Sequence, residues 1–242
     1  MTVVKICGVR TVEAAVAAAS GGADIIGMIF APSPRLIDID TAQAIAQAVA
    51  QTRGSTVATA ADEPSPAATA VEYFTARSKQ LTARGRPLLC GVFQNQPLEH
   101  ILAVARQVPL DVVQLHGTEP LALARQIPVP VIKVFHVDAA FSLDDEAELL
   151  QTFHHWLILL DTKVAGTEQQ GGRGVSFDWT IARKLADRGV PFLMAGGLTP
   201  ENVGEAVAVG SPWGVDVSSG VETERVKDAA KIRAFIDGAR GC

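Results

Sequence analysis

The sequence is poor in cysteine. Its three thiols (Cys7, Cys90 and Cys242) are widely spaced and form no CxxC pair, which excludes a disulfide framework and a cysteine zinc site. It also lacks an excess of positive charge. Against 26 Asp and Glu stand 21 Lys and Arg, a net charge of −5, so no basic face for nucleic acid is expected. No apolar run approaches the roughly 20 residues that cross a bilayer, and no N-terminal segment joins a basic start, an apolar stretch and a cleavage site. These absences set the expectation of a soluble protein of a reducing, cytoplasmic compartment, without membrane or nucleic-acid partners. The negative balance still permits an anionic small ligand, because helix N-termini and one or two arginines hold a phosphate locally.

What is present is a rhythm. Short, nearly continuous apolar runs at 2–7, 25–30, 88–93, 111–115, 130–135, 157–161, 191–195 and 214–218 read as strands buried on both faces. Helical patterns at 11–20, 40–51, 97–107, 118–126, 145–154, 177–188, 200–209 and 227–239 alternate with them. Thr11 and the Thr199-Pro200-Glu201 triplet look like helix starts. Eight βα units predict a single α/β domain over residues 1–242, a (β/α)8 (TIM) barrel. The competitor is an open doubly wound sheet, but no GxGxxG follows the first strand. Residues 52–87 break the rhythm as an insertion between helix 2 and strand 3. Its Ala/Thr/Ser/Pro-rich start reads as a flexible loop. Its later part, AVEYFTARSKQL, reads as an extra helix with Val71, Phe74 and Leu81 near one face, outside the barrel and away from the site.

In such barrels the C-terminal ends of the strands and the loops that follow them build the site. Reading those ends in order gives a thiol at Cys7, an arginine at Arg35, histidines at His116 and His136, a carboxylate at Asp161 and two glycine-rich turns. MAGGLTPENV carries Gly196 and Gly197 after strand 7, and VDVSSGVETE carries Ser219 and Gly220 after strand 8. Glycines allow close backbone approach and helix starts present N–H groups, so these turns suit a phosphate; a purely structural tight turn is the alternative. A third glycine group, QQGGRGVSFDW with Gly172 and Gly174, could close over the ligand. Asp161 ends the apolar run LILLD, where it either caps a turn or does chemistry. Cys7 is either a small core residue or a reactive thiol. Arg35 is either a surface arginine or a bidentate grip on a carboxylate. His116, His136 and Asp161 together could hold a metal. Metal-binding barrels usually supply more than one carboxylate and His136 can face outward, so no metal is expected.

In family order, the stretches KICGVRT, GADIIGMIFAPSPRLI, GVFQN, VVQLHGTE, LILLD with GGRGVSFDW, AGGLTPENV and GVDVSSGVE cover nearly the whole chain except 52–87. Together they closely resemble the phosphoribosylanthranilate isomerases of tryptophan biosynthesis. The resemblance implies a cofactor-free Amadori rearrangement of a phosphorylated small molecule, with Cys7 as general base and Asp161 as general acid. It also implies that Arg35 meets the anthranilate part and that Gly172, Gly174, Gly196, Gly197, Ser219 and Gly220 serve the substrate, chiefly its phosphate. Family members occur alone and fused to neighbouring pathway enzymes, so this chain could be one unit of a longer polypeptide. The rivals are a sugar-phosphate epimerase or ring-closing synthase on the same kind of barrel, and a catalytically silent scaffold.

One charge needs a partner. Strand alternation puts Lys5 on the face of Cys7, one position deeper inside a barrel. An unpaired buried charge is costly, and Asp216 on the neighbouring eighth strand has the parity to point inward. Lys5 is therefore expected to pair with Asp216 and to bias Cys7 toward thiolate.

Overall fold

In a computed structural model, residues 1–52, 64–83, 87–138, 141, 149–162 and 178–241 are described. Eight parallel strands close into a barrel in chain order: β1 (Val3–Ile6), β2 (Ile25–Ile29), β3 (Leu88–Phe93), β4 (Val112–Leu115), β5 (Val131–Val137), β6 (Leu157–Thr162), β7 (Phe192–Met194) and β8 (Gly214–Val217). Closure is made by β1 on β8, in a register that sets Val3 beside Gly214 and Lys5 beside Asp216. The fold is thus the expected (β/α)8 barrel, not an open sheet.

Alternation along each strand separates two packed regions. In β6, Leu157 and Leu159 join the inner cluster, whereas Ile158 and Leu160 pack outward against the helices. Continuing the same period carries Asp161 inward at the mouth. A fully buried Leu or Ile contributes about 1.5–3 kcal/mol relative to an exposed one, and β6 is buried from end to end.

The helices are α1 (Val12–Gly21), α2 (Ile39–Thr52), α3 (Ala70–Thr82), α4 (Leu98–Gln107), α5 (Leu121–Ala124), α6 (Trp179–Asp187), α7 (Val203–Gly210) and α8 (Ala229–Arg240). Thr11 caps α1 as expected, accepting from the Ala14 amide. Three expectations fail locally. The helix expected over 118–126 shrinks to α5: Pro120 precedes it in extended conformation, and beyond it the Gln126 and Ile127 amides donate to Leu123 O and Ala124 O as tight turns, with Pro128 barring any continuation. Residues 149–154 of the helix expected over 145–154 run as turns, and its earlier part lies outside the described residues. Thr199 is not the cap of α7, which starts at Val203 after Asn202. Asn202 Oδ1 accepts from the Thr199 amide at 2.8 Å and its Nδ2 donates to Gly197 O at 3.0 Å, so this side chain organises the glycine turn.

Helix α3 follows a complete capping box between Thr69 and Glu72. It buries Phe74 and Leu81, but Val71 is exposed and Tyr73 takes its place on the packed face. Tyr73 lies 4.8 Å from Phe153 and Phe74 lies 5.1 Å from His155, ring to ring. Arg77 sits over the Trp156 ring at 4.3 Å. Leu81 enters the inner cluster beside Leu88, Val112 and Leu157, which stand at the starts of their strands. The helix therefore covers the N-terminal end of the barrel, opposite the strand ends that carry polar groups.

Candidate active site

Cys7, Arg35, Asp161, Gly196, Gly197, Ser219 and Gly220 all line one cavity at the C-terminal mouth of the barrel. The other two candidates, Gly172 and Gly174, lie outside the described residues.

Cys7 is buried immediately after β1, where its amide donates to Val217 O at 2.8 Å and locks the thiol between β1 and β8. One inward position deeper, Lys5 Nζ donates to Asp216 Oδ1 at 2.9 Å, the expected pair. Gly27 makes room for both: a Cβ there would lie 2.9 Å from Cys7 Sγ and 3.2 Å from Lys5 Nζ. Burial pushes the Cys7 thiol up from its ordinary range, and the Lys5 ammonium pulls it down without cancelling that effect. The bias toward thiolate exists, but the net shift is opposite to the one expected. For Lys5 itself burial disfavours charge, and Asp216 together with the two neighbouring thiols outweighs it and holds the ammonium charged.

Asp161 is fixed through Oδ1, which accepts from the Thr162 amide at 2.8 Å. Its Oδ2 lies 3.4 Å from His116 Nε2. Gln114 Nε2 stands 2.9 Å from His116 Nδ1, so the imidazole is held between an amide and the carboxylate. His136 does not face outward. It is register partner of Asp161, and its Nε2 lies 3.0 Å from His116 O. Burial, reinforced by His116, lowers the His136 pKa. Ligand atoms of His116, His136 and Asp161 all fall within 4.8 Å of one another. A polar side chain facing the reacting space therefore comes with built-in supports.

Below the loops after β3 and β4, Lys133 Nζ donates to Gly117 O at 2.7 Å and pairs with Glu119 Oε2 at 2.9 Å. Glu119 Oε1 in turn accepts from the Asn95 amide at 2.7 Å, tying the two loops together. On the opposite wall Gly196 adopts φ +90°, and a Cβ there would collide with Thr162 Oγ1. Among the described residues, the Gly196 and Gly197 amides donate to no acceptor. Ser219–Val221 forms a short 3-10 turn after β8. The two turns thus bring backbone N–H groups to one side of the cavity, an arrangement that suits an oxyanion.

Arg35 meets Glu222 twice, Nε to Oε1 at 2.7 Å and Nη2 to Oε2 at 2.8 Å. Its guanidinium is held above its usual pKa first by that hydrogen bonding. Burial opposes the Glu222 charge, but hydrogen bonds from Arg35 and Lys227 outweigh it and bring its pKa to about 2. Gly8 (φ +73°) lets Arg35 lie across the end of β1, since a Cβ would come within 2.5 Å of Arg35 Cδ. Glu222 and Lys227 escaped the sequence reading. Glu222 follows the recognised SSGV turn, but nothing in the spacing links it to an arginine 187 residues away.

A family model described as N-(5'phosphoribosyl)anthranilate (PRA) isomerase matches residues 37–238. An N-(5'-phosphoribosyl)anthranilate isomerase of Roseiflexus sp. (strain RS-1) is 44% identical over 241 residues, covering 98% of this chain and 97% of that protein. A multifunctional tryptophan biosynthesis protein of Phycomyces blakesleeanus is 42% identical over 254 residues, and the chain spans only 32% of its length. A crystal structure of phosphoribosyl anthranilate isomerase in complex with reduced 1-(o-carboxyphenylamino)-1-deoxyribulose 5-phosphate superposes with a TM-score of 0.71 at 34% identity, with both chains fully covered.

Proposed function

The chain belongs to the N-(5'-phosphoribosyl)anthranilate isomerase family, and from that premise we propose that it converts N-(5-phosphoribosyl)anthranilate to 1-(2-carboxyphenylamino)-1-deoxyribulose 5-phosphate in tryptophan biosynthesis. The observation that carries this reading is the convergence of Cys7 and Asp161 from β1 and β6 on a single cavity, with an anion cradle on one wall and an arginine on another.

The reaction is an internal redox shift achieved by proton transfers, so its chemistry requires an acid and a base and no cofactor. Asp161 protonates the ribose ring oxygen; the C1–O bond breaks and the nitrogen lone pair completes a Schiff base. Cys7, as thiolate, removes the C2 proton and the electron pair moves toward C1 and nitrogen, giving an enol-amine. Protonation at C1 and loss of the enol proton leave the ketone. Each correctly placed group contributes about 10²- to 10⁴-fold in rate. The high pKa of the buried thiol makes a strong base of the fraction that is ionised.

Binding divides the substrate by charge. The Gly196-Gly197 and Ser219-Gly220 turns take the phosphate, with Gly172 and Gly174 assigned to the same end. Arg35 takes the aromatic carboxylate.

The fluorescence of phosphoribosylanthranilate, formed beforehand by condensing anthranilate with ribose 5-phosphate with loss of water, reports the test. Added chain should accelerate its decay to the same extent with and without chelator. No acceleration by folded protein would reject the reading, and abolition by chelator would favour a metal-dependent epimerase-like reaction.

A further inference from the structure

A short strap follows the phosphate-side turn: β9 (Glu222–Thr223) pairs antiparallel with β10 (Val226–Lys227). Its two charged ends contact residues that line the site: Glu222 holds Arg35 and Lys227 reaches the Ser218 carbonyl. Lys227 Nζ donates to Glu222 Oε1 at 2.7 Å and to Ser218 O at 2.8 Å. Lys231 Nζ adds a bond to Glu222 O at 2.9 Å. The Arg35, Glu222 and Lys227 side chains are only 17%, 6% and 4% exposed, so the arrangement is built rather than a chance surface pairing.

Glu222 engages Arg35 along its Nε–Nη2 edge. The Nη1–Nη2 edge keeps its hydrogens unengaged among the described residues, and that edge matches the spacing of one carboxylate. Two cations share one anion here, which leaves a local excess of one positive charge beside the cavity. Such a cluster favours an incoming anion over a neutral amide or ring. Lys227 also ties Ser218, at the phosphate side, to the carboxylate that steers Arg35.

We propose that Glu222 is a positioning residue: with Lys227 it turns the free edge of Arg35 toward the ortho-carboxylate of the aglycone and sets the preference for a carboxylate-bearing substrate. The assignment rests on the proposed function, because it takes the aglycone to be anthranilate. Glu222 itself touches no substrate atom; it acts through Arg35.

The probes are the reduced product analogue, 1-(o-carboxyphenylamino)-1-deoxyribulose 5-phosphate after reduction, and its counterpart made from aniline, which lacks the carboxyl group. Calorimetric Kd values for both are measured on the full chain and on Glu222→Gln. Wild-type protein should prefer the carboxylate analogue by about tenfold or more, the worth of a charge-assisted pair. In Glu222→Gln that preference should shrink by about tenfold, while affinity for the aniline analogue stays within about threefold. If Glu222→Gln does not fold, Glu222→Asp is read by the same criterion; it keeps a charge for Lys227 but falls short of Arg35. An unchanged preference, or equal weakening of both analogues, overturns the assignment alone. Failure of wild-type protein to bind either analogue overturns the proposed reaction and the assignment with it.

Discussion

Replacing Lys5 by methionine asks whether the charge beneath the thiol serves the chemistry. The substitution keeps an apolar chain of similar length and removes one ammonium. Cys7 Sγ and Lys5 Nζ lie 2.9 and 3.2 Å from the position a Cβ on Gly27 would occupy, so they are at most about 6 Å apart. Over that distance a unit charge stabilises a thiolate by about 3 kcal/mol at an effective dielectric constant of about 20, equal to about 2 pH units. The sign follows from the charged form. The ammonium favours thiolate, so its removal raises the Cys7 pKa further, in the direction in which burial already acts. A thiolate base exists above its pKa; the acid limb of kcat/KM should therefore move up by about 2 pH units, and the rate at neutral pH should fall about 100-fold. Activity should return on the alkaline side. Asp216 is left without its ammonium partner, at a stability cost of about 3–5 kcal/mol. Lys5→Met/Asp216→Asn removes both charges, which act on Cys7 with opposite sign, and should move the limb less. The assay is the pH profile of fluorescence decay, paired with thiolate ultraviolet absorbance in a Cys242→Ser background. A folded Lys5→Met protein whose acid limb stays at the wild-type pH would show that the Lys5 ammonium does not set the ionisation of Cys7.

Two further substitutions probe the frame around this centre. Gly27→Ala puts a methyl group 2.9 Å from Cys7 Sγ, so it should displace the thiol and cut kcat while costing about 1–3 kcal/mol in urea unfolding; unchanged kcat would show that the thiol has more room than its neighbours suggest. Phe74→Ala removes a fully buried ring at the far end of the barrel and should cost about 3–5 kcal/mol with kcat of the folded protein retained. A stability loss below about 1 kcal/mol would mean that α3 is not integral to the fold.

Much of the mouth of the barrel was legible because strand alternation is a local rule. Knowing that β1 and β6 are strands of a closed barrel places Cys7 and Asp161 inward at their ends, and closure of β8 on β1 brings Asp216 to Lys5. What escaped depends on longer-range packing. Arg35 and Glu222 meet only because Gly8 lets the arginine fold across β1 and the strap returns over it; no periodicity encodes that contact. The net rise of the Cys7 pKa is a balance between burial and a nearby ammonium, and residue order conveys the ammonium but not the depth. Helix α3 turned Tyr73 rather than Val71 inward because Phe153 and Trp156 wait on that side.

In the proposed reaction Cys7 and Asp161 are the base and acid of a single proton-transfer site. The most direct measurement is steady-state turnover of phosphoribosylanthranilate by Cys7→Ala and Asp161→Asn, with kcat and KM determined separately. Each variant should lose about 10²- to 10⁴-fold or more in kcat while KM moves by less than about tenfold. Near wild-type kcat in either folded variant would contradict that assignment.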